Sequence, residues 1–168
     1  TSTRLRRERR SSGPGPPGTQ PQRSARWPEP RGVVASDVAR SESFEFPGPA
    51  GRLEAVLMHP AAAPVAVAAV CHAHPLHGGM MHFRTVFRAA QALQSAGLVA
   101  LRFNFRGVGR SAGAHDFGIG EQEDARAALF ELERRFPGLP MVLGGFSFGS
   151  AVALRVAARD RRARAVFV

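Results

Sequence analysis

The chain holds a single cysteine, Cys71, so no disulfide can form within it. That excludes a domain stapled by disulfides and fits a reducing compartment, so a cytoplasmic protein is expected. No apolar run reaches the ~18 residues needed to cross a bilayer. The longest, AAAPVAVAAVC, is too short and contains Pro64. Lysine is absent, and all 23 basic residues are arginine; nothing physical in the sequence explains this. Repeats at solenoid spacing are also missing.

The positive charge is uneven. Residues 1–40 hold nine arginines against Glu8, Glu29 and Asp37, a net of +6 out of a total of +10. This stretch is rich in Arg, Pro, Gly and Ser and poor in apolar residues. It cannot offset its ordering entropy by burial, so it reads as a disordered basic tail. An Arg- and Ser-rich, acid-poor start is also the composition of an organelle transit peptide, the alternative to a cytoplasmic location. Aromatic residues are missing from the tail except Trp27, so no nucleic-acid partner is expected.

From about residue 41 the texture changes. SFEFP and RLEAVLMHP are alternating runs around GPAG, the pattern of a hairpin. VAVAAVC (65–71) is a short continuous apolar run, as in a strand buried on both faces. Residues 82–96 carry Phe83, Val86, Phe87, Ala90, Leu93 and Ala96 at helical spacing, with Gly97 as the stop. LVALRFNF (98–105) predicts a strand and 121–135 a helix. Glu121, Glu123 and Asp124 in its first turn and Arg134 and Arg135 in its last suit the helix dipole, and Pro137 ends it. PMVLGGF predicts a strand, 148–159 a helix, and ARAVFV the start of a further strand. Regular alternation predicts an α/β fold over 41–168: a doubly wound, mostly parallel sheet with helices on both faces and antiparallel entry strands. A chain ending in such a strand is expected to be incomplete at its C-terminus.

The chemistry centres on Gly145-Phe146-Ser147-Phe148-Gly149. A G-x-S-x-G pattern between strand and helix puts the serine on a sharp turn, its hydroxyl clear of the sheet. Gly145 and Gly149 let neighbouring backbones approach. The helix N-terminus behind Ser147 supplies N–H groups, and that of Phe148 is placed to hold a developing oxyanion. The bland alternative is a serine that merely caps the helix. CHAHPLHGG (71–79) follows the third strand, where a second oxyanion donor is drawn in such a design.

Three segments in this order, Cys71 to Gly79, LRFNFRGVGRS from Leu101 to Ser111, and Gly145 to Gly149, make the chain resemble the α/β-hydrolase superfamily, and within it the small cap-less, bacterial-type, dienelactone-hydrolase- or esterase-like members. Ala73 stands where that family often has proline. The resemblance implies a serine esterase with Ser147 as nucleophile and oxyanion donors from the N–H of Phe148 and of a residue near Leu76. It implies pocket or loop roles for His74, His77, Gly78, Gly79 and Arg106. The implied substrate is a small-molecule carboxylic ester, thioester or amide, with no cofactor and no membrane partner. Nothing specifies an oligomeric state.

The family's order is nucleophile, acid, histidine. After Ser147 this chain offers Asp160, in an arginine-rich helix end, and no histidine. Asp160 reads as a surface residue paired with arginine. The triad acid and base are therefore expected beyond Val168. The second expectation is a catalytically silent scaffold of the same fold. The third is a zinc hydrolase with His72, His74 and His77 as ligands, since imidazoles at that spacing after a strand can converge on a metal. His115 reads as part of a surface loop, with contact at the pocket rim.

Overall fold

In the computed structural model, residues 40–168 are described. The expectations for residues 1–40 lie outside them, except that Arg40 begins the first strand. β1 (Arg40–Gly48) and β2 (Gly51–His59) form the expected hairpin, with Gly48 opposite Gly51. β3 (Ala66–Cys71), α1 (Arg84–Ser95), β4 (Leu98–Phe103), α2 (Gly120–Arg135), β5 (Met141–Gly145), α3 (Phe148–Ala157) and β6 (Ala163–Phe167) follow in strict alternation.

The six strands make one sheet in the order β1-β2-β4-β3-β5-β6. β2 pairs antiparallel with β1 and β4, and the pairs β4–β3, β3–β5 and β5–β6 are parallel. The chain winds from β3 to β4 on one side, then crosses back to β5 on the other. The ends of β3 and β5 therefore lie side by side where the winding reverses, the place where open α/β sheets bind ligands. Cys71 is paired with Gly145 there, which fixes the two motif loops as neighbours.

Alternation in β2 divides the core. Leu53, Ala55 and Leu57 face α2 and α3, packing with Leu101, Phe103, Leu129, Leu132, Val152 and Val156. Val56 and Met58 face α1, with Val70, Met81, Val86 and Ala90. β3 is buried along its whole length, as its unbroken apolar run requires. Each fully buried Leu or Phe contributes about 1.5–3 kcal/mol. Among the described residues no helix is long and apolar enough to cross a membrane.

Several boundaries differ from expectation by one or two residues, and two of them have a visible cause. α1 starts at Arg84 rather than 82, because residues 80–83 are tied to β4: Met81 N–H donates to Asn104 Oδ1 (2.8 Å) and Arg102 Nη1 donates to Met81 O (2.8 Å). α3 stops at Ala157, and the Asp160 carboxylate then accepts from the backbone N–H (3.1 Å) and guanidinium of Arg162, as its reading as an arginine-paired residue requires.

Candidate active site

β5 is followed at once by a turn that only a constrained chain adopts. Ser147 sits at φ 56°, ψ −116°, and with Phe117 it is one of two non-glycine residues of positive φ among the described residues. That conformation costs an L-residue on the order of 1–3 kcal/mol and persists because its surroundings impose it. Phe146 N–H donates to Cys71 O (3.1 Å), Ser150 Oγ donates to Gly145 O (2.7 Å), and Ser150 N–H donates to Ser147 O (2.9 Å). The Ser147 side chain makes no capping bond and the residue is exposed. The helix-cap alternative is thereby removed. The Phe148 N–H, in the first turn of α3, has no carbonyl of its own helix to bond.

Gly145 and Gly149 are where the strand, the elbow and β3 meet. A Cβ on Gly149 would lie 2.5 Å from His72 O and closer still to Cys71 O. A Cβ on Gly145 would lie 2.6 Å from Gly149 O and 2.9 Å from Cys71 O. All of these are backbone atoms, which have little room to retreat.

The loop after β3 forms a single 3-10 turn, Pro75–His77, closed by Gly78 at φ 77°. Gly79 is buried, and its N–H donates to His74 O (3.0 Å). His74 Nδ1 accepts from Leu76 N–H at 3.3 Å, so the amide expected as second oxyanion donor is lightly held by a neighbouring ring. His74 stacks on His77 (4.7 Å between centroids) and lies 4.9 Å from the ring of Phe148, the residue after Ser147. Leu76, His77 and Gly78 are exposed.

The loop between β4 and α2 is anchored by two fully buried carboxylates. Asp124 accepts from Arg106 N–H (3.0 Å), Nε (3.0 Å) and Nη2 (2.8 Å). Arg106 is thus turned inward and anchors the loop; it does not present a cation to a pocket. Glu121 accepts from the N–H of Asp116 (2.9 Å) and Gly118 (2.8 Å). Burial alone would raise the Glu121 pKa, but these N–H donors and the nearby His115 outweigh it and hold the carboxyl below its usual range.

His115 has the rim contacts expected of it but is more deeply buried than a surface-loop residue. Its side chain is only 7% exposed and packs against His74, Phe117 and Phe148, with Nδ1 2.7 Å from Glu121 Oε1. Neither ring nitrogen makes a well-directed hydrogen bond. The glycine-rich loop folds back onto the elbow because Glu121 gathers its amides. The sequence signal was available: Glu121 and Asp124 share a helix face with Ala125 and Ala128, which are buried.

His72 is fully buried. Its Nδ1 lies 2.7 Å from Ala73 O, and its Nε2 accepts from Phe105 N–H (3.1 Å), so the proton sits on Nδ1. Burial lowers its pKa from 6.5 to about 4, with Ala73 O and then Glu121 opposing. The unfolded chain takes up this proton near 6.5, whereas the folded imidazole refuses it until about 4. The neutral ring therefore contributes fully above pH 6.5, and stability falls by about 3 kcal/mol as pH drops towards 4. Urea unfolding between pH 7 and 5 should show about 2 kcal/mol of that decline in the wild type and lose most of it in His72→Gln.

Both His72 nitrogens are engaged inside the protein, which leaves none for a metal. The zinc expectation on His72, His74 and His77 loses its first ligand. Among the described residues no group of three His, Cys, Asp or Glu side chains is arranged to hold a metal ion. Cys71 is also fully buried, and burial, then Asp124, pushes its thiol far above the ordinary value. It is a core residue, not a thiolate.

Comparison with known proteins agrees with this architecture. The family model described as serine aminopeptidase, S33, matches residues 67–168. A lidless α/β serine hydrolase from Xanthomonas campestris is 39% identical, with a TM-score of 0.68 over 76% of this chain and 59% of that one. An α/β serine hydrolase homologue from Coxiella burnetii is 41% identical, with a TM-score of 0.70 over 75% of this chain and 61% of that one. An uncharacterised protein from Rickettsia prowazekii is 40% identical over 115 residues, 68% of this chain and 48% of its own length. The chain thus spans roughly half to three-fifths of these relatives. With the elbow, the β3 loop and the sheet order all in place, the chain belongs to the serine aminopeptidase S33 family of α/β-hydrolases.

Proposed function

We propose that this chain carries the nucleophile and oxyanion half of a serine hydrolase acting on a carboxylic ester, thioester or amide. One observation supports the reading above the others: an exposed serine held at φ 56° between a buried strand and a helix N-terminus. In this reading Ser147 Oγ bonds to the substrate carbonyl carbon as its proton passes to a general base. The carbonyl π pair moves onto oxygen, and the N–H groups of Phe148 and of the Leu76 turn, released from His74, stabilise the resulting oxyanion. Collapse expels the alcohol, thiol or amine, which takes the proton back. Water then cleaves the acyl-enzyme by the same route reversed.

No histidine follows Ser147 in the chain, and the family order places the base after the nucleophile. The reading therefore needs a base and an acid that residues 148–168 do not supply. In the complete gene product, Ser147→Ala should lower kcat/KM for a p-nitrophenyl ester by about 10⁴-fold or more. Equal turnover in wild type and Ser147→Ala removes the proposal. No turnover in either supports the silent scaffold.

A further inference from the structure

We infer that the site selects substrates with an apolar acyl chain, and that Phe83 and Phe146 form the wall against which the chain lies. This inference rests on the Ser147 reading and specifies the substrate class. Phe146 immediately precedes Ser147 on the elbow. Its ring stacks nearly parallel to Phe83, with centroids 6.0 Å apart and 19° between planes. Both rings remain open to solvent, Phe83 at 42% and Phe146 at 41%, and Met80, from the same segment as Phe83, is 41% exposed. Large apolar side chains gathered beside a reactive group and exposed among the described residues mark a binding face.

The wall is also fixed in place, which separates it from accidental exposure. Phe83 is the residue before α1, and its N–H donates to Met80 O (3.0 Å). Met81, between Met80 and Phe83, is buried and clamped on both sides, its N–H by Asn104 and its carbonyl by Arg102. Asn104 is itself oriented by Glu54, whose carboxylate accepts from Asn104 Nδ2 (2.8 Å). Phe146 is held through its own N–H to Cys71 O. Neither wall residue carries a charge or a side-chain hydrogen-bonding group, so the face has nothing with which to recognise a polar acyl substituent. The acyl group takes part in both half-reactions, bonding to Ser147 in the first and leaving it for water in the second, whereas the leaving group departs in the first. A fixed apolar wall set on the elbow can therefore act on every acyl step.

The test varies acyl length at a constant leaving group. The complete gene product is assayed with p-nitrophenyl acetate, butyrate, hexanoate and octanoate. A one-sided wall buries each methylene incompletely, so kcat/KM should rise roughly twofold per methylene, below the roughly fourfold of complete burial. The octanoate-to-acetate ratio should fall roughly tenfold or more in Phe83→Ala and in Phe146→Ala. Phe83→Ser keeps the test open if Phe146→Ala does not fold. Phe130→Ala is the control: this exposed phenylalanine lines a separate depression with Glu45 and Pro47 and should leave the ratio unchanged. A flat chain-length profile in an active enzyme overturns the inference and spares the Ser147 reading. So does an equal fall in Phe130→Ala. A lower Tm in Phe83→Ala with an unchanged profile also overturns it, showing that protein rather than substrate covers the wall. No turnover of any ester by the wild type overturns both.

Discussion

Ser147→Gly should make the protein more stable and abolish the proposed hydrolytic activity. The serine occupies φ 56°, ψ −116°, where an L-side chain is strained by on the order of 1–3 kcal/mol. Glycine removes that strain but enlarges the unfolded ensemble by about 0.5–1 kcal/mol. The net gain is about 1 kcal/mol, or roughly 3 °C in Tm for a domain of this size. Ser147→Ala retains the strain and should leave Tm nearly where it is. Turnover should disappear in both variants. Opposite movement of stability and activity at one position distinguishes strain maintained for a nucleophile from strain that follows from packing alone. If Ser147→Gly lowered Tm, the elbow would not be strained in the sense used here. Thermal unfolding of the three proteins in one buffer checks it.

Gly149→Ala should damage both fold and site. The added methyl would meet the carbonyl oxygens of Cys71 and His72, both backbone atoms of β3 and its end. Overpacking against side chains costs about 1–3 kcal/mol, and a backbone that cannot yield puts this case at the upper end, about 3 kcal/mol. The relief available is for α3 to move away from β3. That carries the Phe148 N–H and Ser147 with it, and a displacement of about 1 Å is worth about 10²-fold in turnover. Urea unfolding and kcat/KM measured on the same preparation should therefore fall together. Unchanged stability would mean that the close approach of α3 to β3 is not what seats the elbow.

The sequence carried the frame of this molecule well and its polar interior poorly. Strand and helix alternation was legible because the periods differ sharply: the all-apolar run at 65–71 against the helical spacing of Val86 and Ala90. The elbow was legible because glycine at 145 and 149 and serine at 147 satisfy a backbone constraint that few residue types can meet. The buried acids were not. Glu121 and Asp124 suit a helix dipole by position, but composition alone does not reveal that their carboxylates are satisfied by amides and a guanidinium of the loop just before α2. The depth at which His115 is buried is not legible in the sequence either. Its burial comes from packing on His74 and Phe148, residues of two other segments, a tertiary event with no local period. The histidine-rich stretch at 71–79 has the spacing of a metal site but reads better as a backbone donor loop, and His72 is spent on Ala73 and Phe105.

The central claim is that Ser147 is the nucleophile, and covalent labelling tests it most directly. The complete gene product is treated with a fluorophosphonate, digested with trypsin and mapped by mass spectrometry. Cleavage at arginine releases residues 136–155, which contain both Ser147 and Ser150. One adduct per chain, placed on Ser147 by fragment ions and absent from Ser147→Ala, is the predicted result. No adduct, or one on Ser150 or elsewhere that survives Ser147→Ala, would contradict it.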